Sequence, residues 1–103
     1  MIKKIVNGEM PEVSSDKLTV VDFSAGWCGP CKMLEPVLEE LSEEMSSQAA
    51  FFNADVDENP NLAQDFMITS IPALIVLKNG KEAARNVGFM PKVFLKEFIE
   101  NNL

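Results

Sequence analysis

Two cysteines, Cys28 and Cys31, have a type and spacing that point to a reaction. They stand in Cys28-Gly29-Pro30-Cys31, a spacing suited in a reducing compartment to dithiol–disulfide exchange or to part of a metal site. An apolar strand candidate, Leu18 to Phe23, precedes the motif and a long helix candidate follows it. Free N–H groups at the helix start, with the positive end of its dipole, stabilise a thiolate on Cys28 and make it the expected nucleophile. Cys31 falls on the first helical turn, close enough to Cys28 to close a disulfide and resolve a mixed one. Core filling is the bland alternative for two cysteines, but Gly29-Pro30 suits a stiff bend into a helix, so partial exposure is expected. A structural zinc site would have to complete its four ligands with carboxylates, and an iron–sulfur site would need Cys from another chain or non-thiolate ligands, so both are disfavoured against dithiol chemistry in a sequence with two Cys and no His.

Two neighbours extend the site. Asp22 is the charged exception in its apolar strand, and a desolvated carboxyl is a candidate proton acceptor for the resolving thiol; a solvent-facing strand residue is the alternative. Trp27 precedes Cys28 between Gly26 and Gly29, either anchoring the loop or offering an amphipathic platform to partners. The absence of His rules out His-based triads.

The elements that must position these residues follow from periodicity. Ile2 to Val6 is a candidate edge strand, and Asn7 to Asp16 is a polar stretch with room for a short helix at most. Leu18 to Phe23 is apolar on both faces, as a strand covered by helices should be. Leu34, Val37, Leu38, Leu41 and Met45 fall on one helical face, with Glu35, Glu39, Glu40, Glu43 and Glu44 around the other side. Pro36 removes one hydrogen bond within that helix and is expected to bend it without ending it. Ala49 to Val56 is a second buried strand, Pro60 suits the opening of a helix over 61–67 with Leu62 and Phe66 inward, and Asn79-Gly80 joins strands Ala73 to Lys78 and Lys81 to Val87 as a hairpin. Pro91 opens a last helix expected to bury Phe94, Leu95, Phe98 and Ile99. This order predicts an α/β fold, a mixed sheet between helices with right-handed parallel crossovers.

Composition sets outer limits. The sequence has 103 residues, 47% of them hydrophobic and 24% charged, which predicts one domain over 1–103. Nine Lys and Arg against 16 Asp and Glu give a net charge of −7, and only Lys3-Lys4 are adjacent, so a nucleic-acid or anionic-membrane surface is not expected. The opening MIKKIVNG has no apolar stretch of the sort a secretory signal requires, which predicts a cytoplasmic protein.

The combination of VDFSAGWCGPCK at 21–32, Pro36, DVDENP at 55–60, TSIPALIVLKNG at 69–80, Val87-Gly88 and the closing KEFIENN resembles the thioredoxin family over nearly the whole chain. The resemblance implies a thioredoxin-like three-layer α/β/α sandwich with a mixed sheet of four to five strands. It implies a protein dithiol-disulfide oxidoreductase in which Cys28 attacks, Cys31 resolves, Asp22 assists Cys31, and Pro72 is a cis-proline facing the cysteines. Sequence alone permits either isomer at Ile71-Pro72. Ile71, Pro72 and Gly88, with Trp27, Gly29 and Pro30, would then form the apolar patch that receives a client.

The implied partners are oxidised client proteins and a thioredoxin reductase, either flavoprotein or ferredoxin-linked, because the chain has no dinucleotide fingerprint of its own. No bound cofactor and a monomer are expected. Two rival readings share this fold: a redox-gated binding subunit of a larger complex, and an oxidant or isomerase outside the cytosol. Against the commonest family pattern, Ser24 replaces an aromatic, Gly26 a polar residue, Asn53 a lysine near the buried aspartate, Met67 a glycine and Phe89 a small residue. Losing that lysine weakens an ion-pair account of Asp22.

Overall fold

The computed structural model describes residues 1–103. The elements, in chain order, are β1 (Ile2–Lys4), β2 (Leu18–Ser24), α1 (Gly29–Glu44), β3 (Ala49–Asp55), α2 (Pro60–Asp65), β4 (Ala73–Lys78), β5 (Lys81–Val87) and α3 (Lys92–Glu100). One five-stranded sheet has the order β1-β3-β2-β4-β5, so β2 is its central strand. β2 runs parallel to β3 and antiparallel to β4, which makes the sheet mixed as the element order predicts.

Alternation along the strands sorts the core into two layers. Leu18 and Val20 of β2, Phe51 of β3, and Leu74 and Val76 of β4 meet Leu34, Leu38 and Leu41 of α1 and Leu95 and Ile99 of α3. Val21, Phe23, Ala54, Ile75 and Leu77 point the other way and meet Leu62 of α2. Parity therefore places Asp22, two residues beyond Val20, on the α1 side of the sheet.

Turn chemistry accounts for the connections. Asn79 and Gly80 both take positive φ, 54° and 78°, the geometry of a tight hairpin turn. α1 continues through Pro36 to Glu44. The stretch 7–17 forms no helix and is tied down by Asn59, which accepts from Gly8 N–H at 2.9 Å and donates to the Ile5 carbonyl at 3.0 Å.

Three details depart from expectation. α2 stops at Asp65, because Met67 takes φ 53° and the chain turns out of the helix there. Phe94 is 61% exposed, since α3 buries a narrow stripe through Leu95 and Ile99, four residues apart, with Phe98 half-buried beside it. Val37 is likewise half-buried at the margin of its helical face. No helix is long and apolar enough to cross a membrane.

Candidate functional site

Cys28 is the N-cap of α1, in extended conformation, and its Sγ accepts the Cys31 backbone N–H at 3.3 Å. Gly29 begins the helix and Pro30 follows in its first turn, where the missing proline N–H has no intrahelical partner to lose. Cys28 and Cys31 are joined by a disulfide with Cα atoms 5.3 Å apart, so the helical turn brings the two sulfurs together. The partial exposure expected at the motif is absent: Cys28 is 5% exposed and Cys31 4%. Ala25, Val56 and Ile71 cover the pair from separate parts of the chain. What distinguishes Cys28 is its place at the helix start.

Opposite the disulfide runs the segment that leads into β4. The Ile71 carbonyl oxygen lies 3.9 Å from Cys28 Sγ. The Ile71–Pro72 peptide bond is cis, the isomer that the resemblance implied. The Pro72 carbonyl accepts the Gly88 N–H at 2.8 Å, and Gly88 takes φ 99°, a left-handed conformation that favours glycine. A Cβ at Gly88 would meet nothing within 4 Å, so the backbone is open to an approaching chain there.

Trp27 is 72% exposed, which removes the reading of a buried loop anchor. Its indole N–H donates to Asp57 Oδ2 at 3.0 Å, steadying one edge of the ring while leaving most of it to solvent. Asp57 is held in turn by Asp55, whose Oδ1 accepts the N–H groups of Asp57 and Glu58 at 2.8 and 3.2 Å.

Asp22 is 4% exposed, against the solvent-facing alternative. Its Oδ2 accepts from Asn53 Nδ2 at 3.2 Å, and its Oδ1 is buried without a hydrogen-bond partner. Burial pushes the carboxyl up to about 6; the Asn53 hydrogen bond opposes this and the nearby negative charge of Glu35 adds to it. Asp22 and Cys31 line one cavity of about 240 Å³ beneath the start of α1.

Comparison with known proteins agrees with this geometry. The family model named Thioredoxin matches residues 6–101. The chain belongs to the thioredoxin family. Thioredoxin of Staphylococcus saprophyticus is 45% identical over 102 residues, covering 99% of this chain and 98% of that one. Thioredoxin of Staphylococcus aureus is 42% identical over the same length and with the same coverage. The X-ray structure of Fasciola hepatica thioredoxin superposes with a TM-score of 0.80 at 36% identity, covering 85% of this chain and 83% of that one.

The fold is therefore thioredoxin-like, and the protein is a thiol–disulfide oxidoreductase whose redox group is the Cys28–Cys31 pair, with no cofactor required. No group of three or more His, Cys, Asp or Glu side chains is placed to hold a metal ion. Two contacts at the site escape a sequence reading. The Asn53 bond to Asp22 depends on the parallel register that sets Asp22 opposite Asn53, and the sequence marks Asn53 only as a departure from the family pattern. The Trp27–Asp57 bond joins two loops and has no signal in the spacing of either.

Proposed function

We propose that this chain is a general protein-disulfide reductase of the cytoplasm, acting as a monomer through one domain spanning 1–103 and recharged by a thioredoxin reductase. In the cycle, Cys28 thiolate attacks one sulfur of a client disulfide. A Cys28–client bond forms and the other client sulfur leaves with the electron pair, taking a proton from water. The Cys31 thiol then gives its proton to Asp22 and attacks Cys28 Sγ; the Cys28–Cys31 bond forms and the second client sulfur leaves as a thiolate. Two electrons have passed from the cysteine pair to the client, and the reductase returns them. Trp27, Gly29, Pro30, Ile71, Pro72 and Gly88 form the face on which the client lies, with the Ile71 backbone offering extended pairing.

The observation that carries this reading is the Cys31 N–H directed at Cys28 Sγ at the start of α1, because a backbone donor there stabilises negative charge on that sulfur. The test is reduction of insulin disulfides with NADPH-linked and ferredoxin-linked reductases as electron donors. Sustained turnover by the native protein with at least one donor, and none by Cys28→Ser, is expected. Turnover retained in Cys28→Ser, or stoichiometric binding of clients without turnover, would overturn it.

A further inference from the structure

The polar cluster beneath α1 contains a side chain that the cycle above does not use. β2 and β3 pair in parallel with Asp22 opposite Asn53, so both side chains emerge on the α1 side of the sheet. Asn53 Nδ2 is within hydrogen-bond distance of three oxygens: Asp22 Oδ2 at 3.2 Å, the Asp22 carbonyl at 3.2 Å and Ser24 Oγ at 2.8 Å. A carbonyl oxygen only accepts, so the NH2 end of the amide must face this group. Asp22 Oδ1 is buried and accepts no hydrogen bond from any protein group, so it is the carboxyl oxygen not engaged by the chain.

We propose that Asn53 is a positioning residue of the dithiol reaction: its amide ties up Asp22 Oδ2, so that Oδ1 is the carboxylate oxygen left to accept the Cys31 proton. The inference rests on the reading of Asp22 as proton acceptor given above. In the step concerned, the S–H bond of Cys31 breaks, an O–H bond forms at Asp22 Oδ1, and the Cys31 thiolate displaces the client sulfur from Cys28. A pinned carboxylate meets the thiol in one orientation, whereas a freely rotating one must find it in competition with water. Asn53 is also uncharged, so it orients Asp22 without fixing it in the ionised form. The charged groups facing the cavity are Lys32, Glu35 and Glu39 from α1, Lys4 from β1 and Asp55 from β3, of mixed sign.

Orientation and charge at Asp22 are separable, and two substitutions at Asn53 test the two. Reduced protein is mixed in a stopped-flow instrument with saturating aryl disulfide that releases a chromophoric thiol. The first release reports attack by Cys28 and the second reports resolution by Cys31. Across about pH 5 to 9 the second phase should rise with pH through the Asp22 titration. Asn53→Ala removes the bond that favours the carboxylate, so the midpoint should move up by about one pH unit while the plateau rate falls on the order of ten-fold. Asn53→Lys keeps a donor and adds a cation, so the midpoint should move down. In an Asp22→Asn background neither substitution should change the second phase further.

Asp22→Asn without effect on the second phase would remove the acceptor role itself, and the proposal with it. Asp22→Asn slowing that phase while Asn53→Ala leaves both midpoint and plateau unchanged would overturn the positioning role alone. An equal slowing by Asn53→Ala in both backgrounds would reduce Asn53 to a structural residue. If Asn53→Ala fails to fold, the direction of the midpoint shift in Asn53→Lys decides: an upward or absent shift contradicts the proposal.

Discussion

Cys28 and Cys31 are almost equally buried as residues, and electrostatics distinguishes them. Cys28 Sγ receives a backbone N–H at the positive end of a 16-residue helix, whereas Cys31 lies within the helix over a cavity shared with a carboxyl group. In the reduced protein at neutral pH, iodoacetamide should therefore label Cys28 about ten-fold faster than Cys31 or more. Peptide mapping of a partially labelled sample checks this, and equal or preferential Cys31 labelling would count against the assigned roles. The identity of the reacting residues was legible in the sequence from Cys28-Gly29-Pro30-Cys31 at a strand-to-helix junction. Their low exposure was not, because the residues that cover them, Val56 and Ile71, come from other loops and are placed by tertiary folding.

At the scale of elements, the end of α2 carries an unfavourable residue in a favourable motif. Ile68 N–H bonds the Ala63 carbonyl and Met67 N–H bonds the Gln64 carbonyl, both at 2.9 Å, the pair of bonds that closes a helix when the residue after its cap is left-handed. That residue is Met67, at φ 53° and 74% exposed. The Cβ of a non-glycine residue costs about 1–2 kcal/mol in this conformation, partly offset by the greater freedom glycine has in the unfolded chain. Met67→Gly should thus stabilise the fold by about 0.5–1 kcal/mol, measurable by urea unfolding; a loss of stability would show that the Met67 side chain has packing value despite its exposure. Arg85 supports the same corner from β5, donating to the Phe66 carbonyl at 2.9 Å while paired with Glu82. Strands β2 and β4, the hairpin at Asn79-Gly80 and helix α1 were all legible, since each has a long periodic pattern or a turn pair of definite chemistry. The inward face of α3 is not legible at Phe94, because in a nine-residue helix a shift of one position moves a side chain from core to solvent. The Asp22–Asn53 bond was hidden for a related reason: it requires the register between two strands that are 31 residues apart at this point.

For the whole molecule, the buried acid couples stability to pH. Asp22 titrates near 6 in the folded chain against an ordinary 3.8, so between those values the folded state holds a proton that the unfolded state has released. Stability contributed by this group is greatest below about pH 4, falls as pH rises to about 6, and is level above, a change of up to about 3 kcal/mol. Glu44 and Glu82 act in the opposite sense. Lys92 and Arg85 hold them below the usual carboxylate range, so their contribution is lost as pH falls, but they lie at the surface where such pairs are weak. Urea unfolding of the oxidised protein across about pH 4 to 8 should show the decline in the native chain and not in Asp22→Asn, which should be the more stable of the two at pH 7 by about 1–3 kcal/mol. Identical profiles would contradict the account of Asp22 as a desolvated carboxyl.

The central claim, that Cys28 attacks and Cys31 resolves, is tested most directly by trapping the intermediate. Cys31→Ser protein, reduced and mixed with a disulfide-bonded client, should accumulate a covalent adduct that mass spectrometry places on Cys28, while Cys28→Ser protein should form little or none on Cys31. Adducts forming as readily through Cys31 as through Cys28 would contradict the assignment.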